Sequence, residues 1–434
     1  MSELTNWYGG IPKNWDYTKV KFLFKVKNGG TPKSEIKEYW DENGIIWFTP
    51  EDISKEGKTI SNSKRKISEL GLKNSSASYV KSSSLVLSTR APIGNLKLST
   101  IKFTTNQGCK SLENNPHVDM DYYYYIFSIA KEYLNSLGQG TTFLELSNSA
   151  LKNTVVPLPD LCTQKVIANF LNKKTQNIDD LIIKKLKLIE LLEEKRQSMI
   201  TEAVTRGLNT NVKMKDSGVE WIGEIPEHWS VQKIKKVAEI NSSNVDKKSI
   251  KGEVEVLLCN YVDVYYNNQI TENLEFMKAT AKPEQVEKFT LKYNDVIITK
   301  DSESPNDIAI PSWVSTDLEG ILCGYHLALV RAKVDKLHGH YLYYSLESNS
   351  IREQFYSKAN GVTRFGLPKE AIKNGIIPCP PLNEQQEIAT YLHEKNKEIE
   401  LVVLELRKQI EKLKEYRKSL IYEAVTGKIE VRDY

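Results

Sequence analysis

Two stretches of the chain carry a helical pattern of apolar positions. Over 163–205 there is no Gly or Pro, and Ile167, Phe170, Ile178, Leu181, Leu188, Leu192, Met199 and Ala203 recur at near-multiples of three and four. Over 384–426 the series Ile388, Leu392, Ile399, Val402, Leu406, Ile410, Leu413, Leu420 and Ala424 keeps a spacing near 3.5, which predicts a coiled coil. Lys, Glu, Leu and Ile dominate both stretches and lose little rotamer freedom in a helix. Each stretch starts just after a proline-containing loop. At 1.5 Å per residue each would run to about 64 Å. Shorter runs, SLVLSTR at 84–90 and DVIITK at 295–300, predict strands. DYYYYIFSIAKEYLNSL at 121–137 and HYLYYSLESNSIREQFYS at 340–357 predict amphipathic helices whose tyrosine rings pack inward.

The two long segments close alike, with TEAVTRG at 201–207 and YEAVTGK at 422–428. The likeness extends backwards without a gap. Between 156–207 and 377–428, 21 of 52 positions are identical at an offset of 221, far above the about three that chance gives, so the chain contains an internal repeat. GQGTTFLELSNSALKN at 138–153 matches ANGVTRFGLPKEAIKN at 359–374 at the same offset. IPKNWDYTKVKFLF at 11–24 matches IPEHWSVQKIKKVA at 225–238 at an offset of 214, so the second copy has gained seven residues inside. The copies run from 11 to 207 and from 225 to 428, and the polar segment 208–224 reads as a linker.

The middles, 30–137 and 244–358, share almost nothing. Matching ends point to one docking job done twice, and divergent middles to two different targets. A duplicated unit pairing with itself adopts a two-fold arrangement. The expected fold is therefore α+β: two homologous globular α/β domains separated by two long antiparallel coiled-coil helices, with pseudo-two-fold symmetry. The expected divisions are 1–155, 156–207, 208–376 and 377–434. The helices would then act as a ruler between two recognition heads.

Composition narrows the class. Hydrophobic residues make up 40% and charged residues 27% of 434, as in a globular protein. The net charge of +4 permits nucleic-acid binding without arguing for it. Five cysteines, Cys109, Cys162, Cys259, Cys323 and Cys379, form no CxxC or Cys/His cluster, so neither a disulfide framework nor a zinc site is expected. No apolar run approaches the roughly 20 residues that span a bilayer, and a cytoplasmic location follows as the expectation.

No catalytic signature emerges. EGKT at 56–59 ends like a phosphate loop, but Asp52 stands where that loop needs glycine. GxSxG, HExxH and a glycine-rich nucleotide loop after a strand are absent. TPEDISKEGK at 49–58 offers carboxylates and a lysine in a loosely nuclease-like order that the second copy lacks.

Polar residues at strand ends and glycine turns are the candidates for DNA contact. In the first copy these are Lys64, Arg65 and Lys66; Thr89 and Arg90; Asn106, Gln107 and Lys110; and Thr141 and Thr142. In the second they are Lys300, Asp301, His326, Thr363 and Arg364. Arg suits guanine, Asn and Gln adenine, and Asp cytosine. Lys and Thr suit phosphates.

The duplicated heads, the IPxxW openings, STRAPIG followed by TNQG, the Gly-x-Thr loops, PLPxxxxQxxIAxFL-type segments and the EAVT helix ends resemble a type I restriction–modification specificity subunit. The resemblance covers about 11–428. It implies a non-enzymatic subunit that reads double-stranded DNA. Each head would read one half of a bipartite, asymmetric site, and the helices would fix the gap. Two adenine methyltransferase subunits would dock on the repeated regions, and two motor-nuclease subunits would complete the restricting complex. S-adenosylmethionine, ATP and magnesium would belong to those partners, with none bound by this chain. The alternatives are a DNA-acting enzyme and a coiled-coil scaffold that binds no DNA.

Overall fold

The computed structural model describes residues 7–140 and 144–431. The chain divides into two compact units. Unit 1 is Met1–Lys185 with Lys408–Tyr434, and unit 2 is Leu186–Arg407. The long helices α1 (Leu161–Arg206) and α2 (Leu382–Val425) each start in one unit and end in the other. Both begin two residues before the sequence pattern suggests. For α1 the reason is Asp160, whose Oδ1 accepts from Thr163 N at 3.0 Å and caps the first turn.

In unit 1 a five-stranded sheet contains β1 (Lys25–Asn28), β2 (Thr59–Ile60), β3 (Ser84–Ser88), β4 (Leu96–Ser99) and β5 (Cys109–Glu113). Their spatial order is β1-β5-β3-β4-β2. All neighbours are antiparallel except β4 and β2. In unit 2, β6 (Ala238–Ser242), β7 (Gln269–Ile270), β8 (Asp295–Thr299), β9 (Pro311–Val314) and β10 (Leu327–Ala332) follow the order β6-β10-β8-β9-β7. Again only the last pair is parallel. The middles that share almost no sequence therefore share one topology. The central strands β3 and β8 are buried along their whole length, as the apolar runs Leu85–Leu87 and Val296–Ile298 require.

A second small sheet repeats as well. Trp40–Phe48 runs antiparallel to Lys66–Ile67 and parallel to Thr104–Thr105. Val254–Cys259 runs antiparallel to Met277–Ala281 and parallel to Leu318–Cys323. Each lead strand enters a short helix closed by a capping box. Asp52 Oδ2 accepts from Thr49 N at 2.9 Å, and Asp263 Oδ2 from Asn260 N at 2.7 Å.

The tyrosine-rich segments each form two helices, Met120–Ile129 with Lys131–Ser136 and Gly339–Glu347 with Asn349–Tyr356. Tyr122, Tyr123 and Tyr125 are buried in the core of unit 1, and Tyr341, Tyr343 and Tyr344 in that of unit 2.

The repeated motifs meet one another inside each unit. Strand Asp16–Lys19 pairs with Val155–Leu158, and Ser230–Lys233 with Ile376–Cys379. The shared glutamine after each proline loop is buried. Gln164 Oε1 accepts from Asp119 N, and Gln385 Oε1 from His338 N, both at 2.8 Å, which ties each long helix to its tyrosine helix. The EAVT ends complete the pattern. Ala424 and Val425 join the core of unit 1, where Tyr122 lies. Ala203 and Val204 join that of unit 2, with Tyr341. Beyond each end Gly427 lies against Pro12 and Trp15, and Gly207 against Pro226 and Trp229. The helix that follows one head thus ends on the other copy's IPxxW opening.

Two expectations change. The helices do run antiparallel within unit 1, where Lys185 Nζ bonds Gln409 Oε1 at 2.6 Å and Arg417 Nη2 bonds Asp179 Oδ2 at 3.2 Å. One position of the apolar stripe of α2 moves by a residue, however: Val403 is 7% exposed and Val402 is 47% exposed. Ile399, Val403, Leu406, Ile410 and Leu413 restore an alternating four–three spacing. Likewise 208–224 is not only a linker. Met214–Asp216 forms a hairpin with Glu224–Pro226, and Ile222 is buried.

Candidate nucleic-acid interface

The central strands of the two sheets end in the dipeptides Thr89–Arg90 and Lys300–Asp301. Backbone hydrogen bonds fix both in the same way. Thr89 N donates to Gly108 O at 2.8 Å, and Lys300 N to His326 O at 3.0 Å. A loop then folds over each strand end. Leu146 N donates to Thr89 O at 2.8 Å, and Leu367 N to Lys300 O at 2.7 Å. The loops close through reciprocal backbone pairs, Gln139 with Glu145 and Asn360 with Gly366. These are the Gly-x-Thr loops, whose shared glycines, Gly140 and Gly361, have φ of +122° and +145°. Each head therefore presents a strand end, a turn and a loop in one frame.

The side chains on that frame differ. In unit 2 Lys300 Nζ lies 2.5 Å from Asp301 Oδ2 and 4.9 Å from the Tyr325 ring centre. Asp301 Oδ2 is 3.2 Å from His326 Nδ1, and Arg364 Nη2 is 3.0 Å from the same nitrogen. Residues 26 and 64 positions apart in sequence thus form one cluster of donors and an acceptor. Thr363 is exposed on the same loop. Such a set suits reading of base edges.

In unit 1 Arg90 Nε pairs with Glu145 Oε2 at 3.2 Å, and both are exposed. Gln107 is exposed and accepts from Thr31 Oγ1. Asn106 is committed to its turn, its Oδ1 accepting from Gly108 N at 3.0 Å. Thr89 and Lys110 are buried, and Lys110 Nζ donates to Leu146 O at 2.9 Å. Burial lowers the Lys110 pKa, against the pull of Glu145 at 4.0 Å. These two residues hold the loop and do not face solvent. Thr141 and Thr142 lie outside the described residues.

Lys64, Arg65 and Lys66 form a patch at the second sheet. The Arg65 guanidinium lies 3.5 Å from the Trp40 ring centre. Lys64 pairs with Glu51 at 2.9 Å, which raises its pKa. Lys64 N donates to Asp52 Oδ1 at 2.9 Å. That bond also argues against the nuclease-like reading of 49–58, because Asp52 Oδ2 is occupied in the cap and Oδ1 by Lys64 N, and Asp52 is 1% exposed. Asp263 repeats the capping role in the second copy. Among the described residues no group of three or more His, Cys, Asp or Glu could hold a metal ion. No described helix is long and apolar enough to cross a membrane.

Glu145, Tyr325 and Thr31 belong to these surfaces and escaped sequence reasoning. Glu145 stands inside the repeated loop, where its match is Gly366, so no likeness marked it.

Two heads of one topology with different side chains at equivalent positions define a duplicated recognition protein. Comparison with known proteins gives the kind. The model of the type I restriction modification DNA specificity domain matches residues 12–191 and 226–412. The MjaIX specificity subunit of Methanocaldococcus jannaschii is 30% identical over 98% of this chain and 96% of its own length. The MjaVIII specificity subunit of the same organism is 24% identical over 98% and 95%. A chain solved in work on assembly and conformational transition of the type I R-M system has a TM-score of 0.73 at 15% identity, covering 96% of this chain and 99% of that one. The HsdS subunit from Thermoanaerobacter tengcongensis has a TM-score of 0.54 at 16% identity, covering 96% and 98%. The chain belongs to the type I restriction–modification DNA specificity family, and it is a specificity subunit of such a system.

Proposed function

We propose that this chain directs a type I complex to a bipartite DNA site, with each head reading a different half. The observation that carries this is the shared frame with exchanged side chains: Arg90 and Gln107 in one head, and Asp301, Tyr325 and Arg364 in the other. Arg364 and Asp301 would read base edges, with Lys300 and Thr363 at phosphates. Arg90 and Gln107 would do the reading in the first head. Thr89 and Lys110 would position the loop, and Thr141 and Thr142 complete the contact set. Lys64, Arg65 and Lys66 would hold the flanking backbone, where neutralised phosphates make binding salt-dependent.

The repeated motifs are spent on contacts within the chain, so partners must use what stays exposed. Ile183, Leu186 and Leu191 on α1 and Leu401 and Leu404 on α2 are all at least 47% exposed. Apolar side chains of this size on exposed helix faces fit helices of two adenine methyltransferase subunits. Two motor-nuclease subunits would complete the restricting complex. S-adenosylmethionine, ATP and magnesium would serve those partners, and the complex would act in the cytoplasm.

The experiment is a genome-wide map of methylated adenines in cells carrying the methyltransferase with and without this chain. A chain-dependent motif of two short blocks around a fixed unread gap supports the reading. Active methyltransferase with no such motif overturns it.

A further inference from the structure

In unit 1 the edge of the five-stranded sheet meets α1 through Lys58. Its ammonium pairs with Asp121, reaches Asn172 Oδ1, and lies 5.1 and 4.6 Å from the ring centres of Tyr124 and Tyr125. Tyr125 Oη is 3.0 Å from Thr175 Oγ1. The cation comes from the residue just before β2.

Unit 2 repeats this frame without the cation. The residue before β7 is Asn268, and β7 pairs with β9 as β2 pairs with β4. Tyr343 and Tyr344 follow Gly339–His340 in the tyrosine helix as Tyr124 and Tyr125 follow Met120–Asp121. On the long helix, Asn396 stands 221 positions after Thr175, and His393 the same distance after Asn172. A cleft of about 510 Å³ remains, lined by Trp313, His340, Tyr343, Tyr344, Asn396 and Glu400 among others.

We propose that this cleft binds a primary alkylammonium group, taking from outside the cation that the first copy supplies from Lys58. Aromatic rings line it. Trp313 and His340 stack at 3.8 Å with planes 4° apart, and His340 lies 5.0 Å from Tyr344. Ring faces attract ammonium groups and lie flat along an alkyl stem. Asn396 is 5% exposed, and its Oδ1 has no hydrogen-bond partner. A buried acceptor left unpaired is costly, and an N–H donor would satisfy it. Glu400 Oε1 accepts from Asn268 Nδ2 at 2.9 Å, which leaves its second oxygen for a cation. Burial first, then His393 and His338, push the His340 pKa down to about 3, so its ring carries no competing charge at neutral pH. Lys397 also lines the cleft and offsets Glu400 in net charge. The field therefore favours an organic cation held by rings over a bare inorganic ion. The source is either a free linear diamine or a lysine side chain on a bound partner, and the reading is independent of how the heads contact DNA.

The test is calorimetric titration of the full chain with 1,5-diaminopentane and, separately, with N-acetyl-lysine methylamide. Saturable one-to-one binding of either is expected. It should weaken about tenfold or more in Asn268→Lys, which plants an internal cation as Lys58 does, and in Trp313→Leu, which restores the residue found at position 98. Asn268 precedes the edge strand β7 and Trp313 lies on the neighbouring strand β9, and circular dichroism checks that the variants fold. Binding of the diamine alone assigns a free amine, and binding of the lysine amide assigns a partner's side chain. Failure of both probes to saturate at about 10 mM, or binding unchanged in Asn268→Lys, overturns the proposal.

Discussion

The Tyr122 hydroxyl donates to the Val425 carbonyl at 2.9 Å, across 303 positions of sequence. The Tyr341 hydroxyl shares its proton between the Val204 and Pro378 carbonyls, both at 3.2 Å. The Val425 and Val204 acceptors are last-turn carbonyls that the helix itself leaves unpaired, at the negative end of its dipole. Replacing Tyr122 or Tyr341 with Phe strands a buried carbonyl at the price of one oxygen. Each change should cost about 1–2 kcal/mol in denaturant unfolding. Loss of less than about 0.3 kcal/mol in both would show that packing alone holds the helix ends.

The glycines beyond those ends should rank in a definite order. Gly207 and Gly427 have φ of +77° and +68°, so any side chain strains the backbone. A Cβ on Gly427 would also meet Pro12 Cγ at 2.4 Å, whereas one on Gly207 would meet Trp229 at 3.1 Å. Gly427→Ala should destabilise by about 2 kcal/mol or more and Gly207→Ala by about 1. Equal losses would remove the packing part of the account.

Much of this scaffold was legible before the fold was seen. The long helices announced themselves through apolar spacing, and the repeat through identities at one offset. What stayed hidden depends on contacts distant in sequence. One position of the α2 stripe falls at Val403 and not Val402, because the two are equally apolar and only the packing decides which is buried. The common sheet order was invisible because strand order follows non-local pairing, and the two middles reach it with different residues. At the candidate interface, Lys300, Asp301, His326 and Arg364 do meet in one cluster, but the burial of each candidate is not legible from its sequence. Sequence alone does not show that Leu146, 36 positions beyond Lys110, closes over Thr89 and Lys110. Tyr325 and Glu145 went unnoticed because nothing in their immediate sequence marks them.

Acid should unfold unit 2 through His340. Its folded pKa of about 3 lies below the ordinary 6.5, so between those values the unfolded chain binds more protons. Stability contributed by the neutral ring is fully present above about pH 6.5 and falls as pH drops towards 3, with a limiting slope of about 1.4 kcal/mol per pH unit. His340→Phe keeps a ring against Trp313 and should flatten that slope. Unfolding midpoints measured from pH 7 to 4 decide it, and parallel curves for variant and parent would count against the assignment.

The two reading surfaces should be separable. Arg364→Ala, or Asp301→Asn, should alter or relax only one half of the methylated motif. Arg90→Ala with Gln107→Ala should affect only the other. Each lost base contact should reduce discrimination by about 1–3 kcal/mol. A single head's variants changing both halves would contradict one-head, one-half reading.

If the helices set the unread gap, its length should follow theirs. Adding four residues to each helix, between 185 and 186 and between 407 and 408, lengthens them by about 6 Å. The gap in the methylated motif should grow by about two base pairs, at roughly 3.4 Å each. An unchanged gap would end the ruler account.

The loop over each strand end docks through main-chain groups: Leu146 N on Thr89 O, and Leu367 N on Lys300 O. Peptide groups are the same whatever side chain they carry. The scaffold of a head is therefore indifferent to the letters written on it. Substitution at positions 90, 107, 301, 325 or 364 leaves those main-chain bonds in place, so the side chains displayed by a head can change one at a time while its fold is kept.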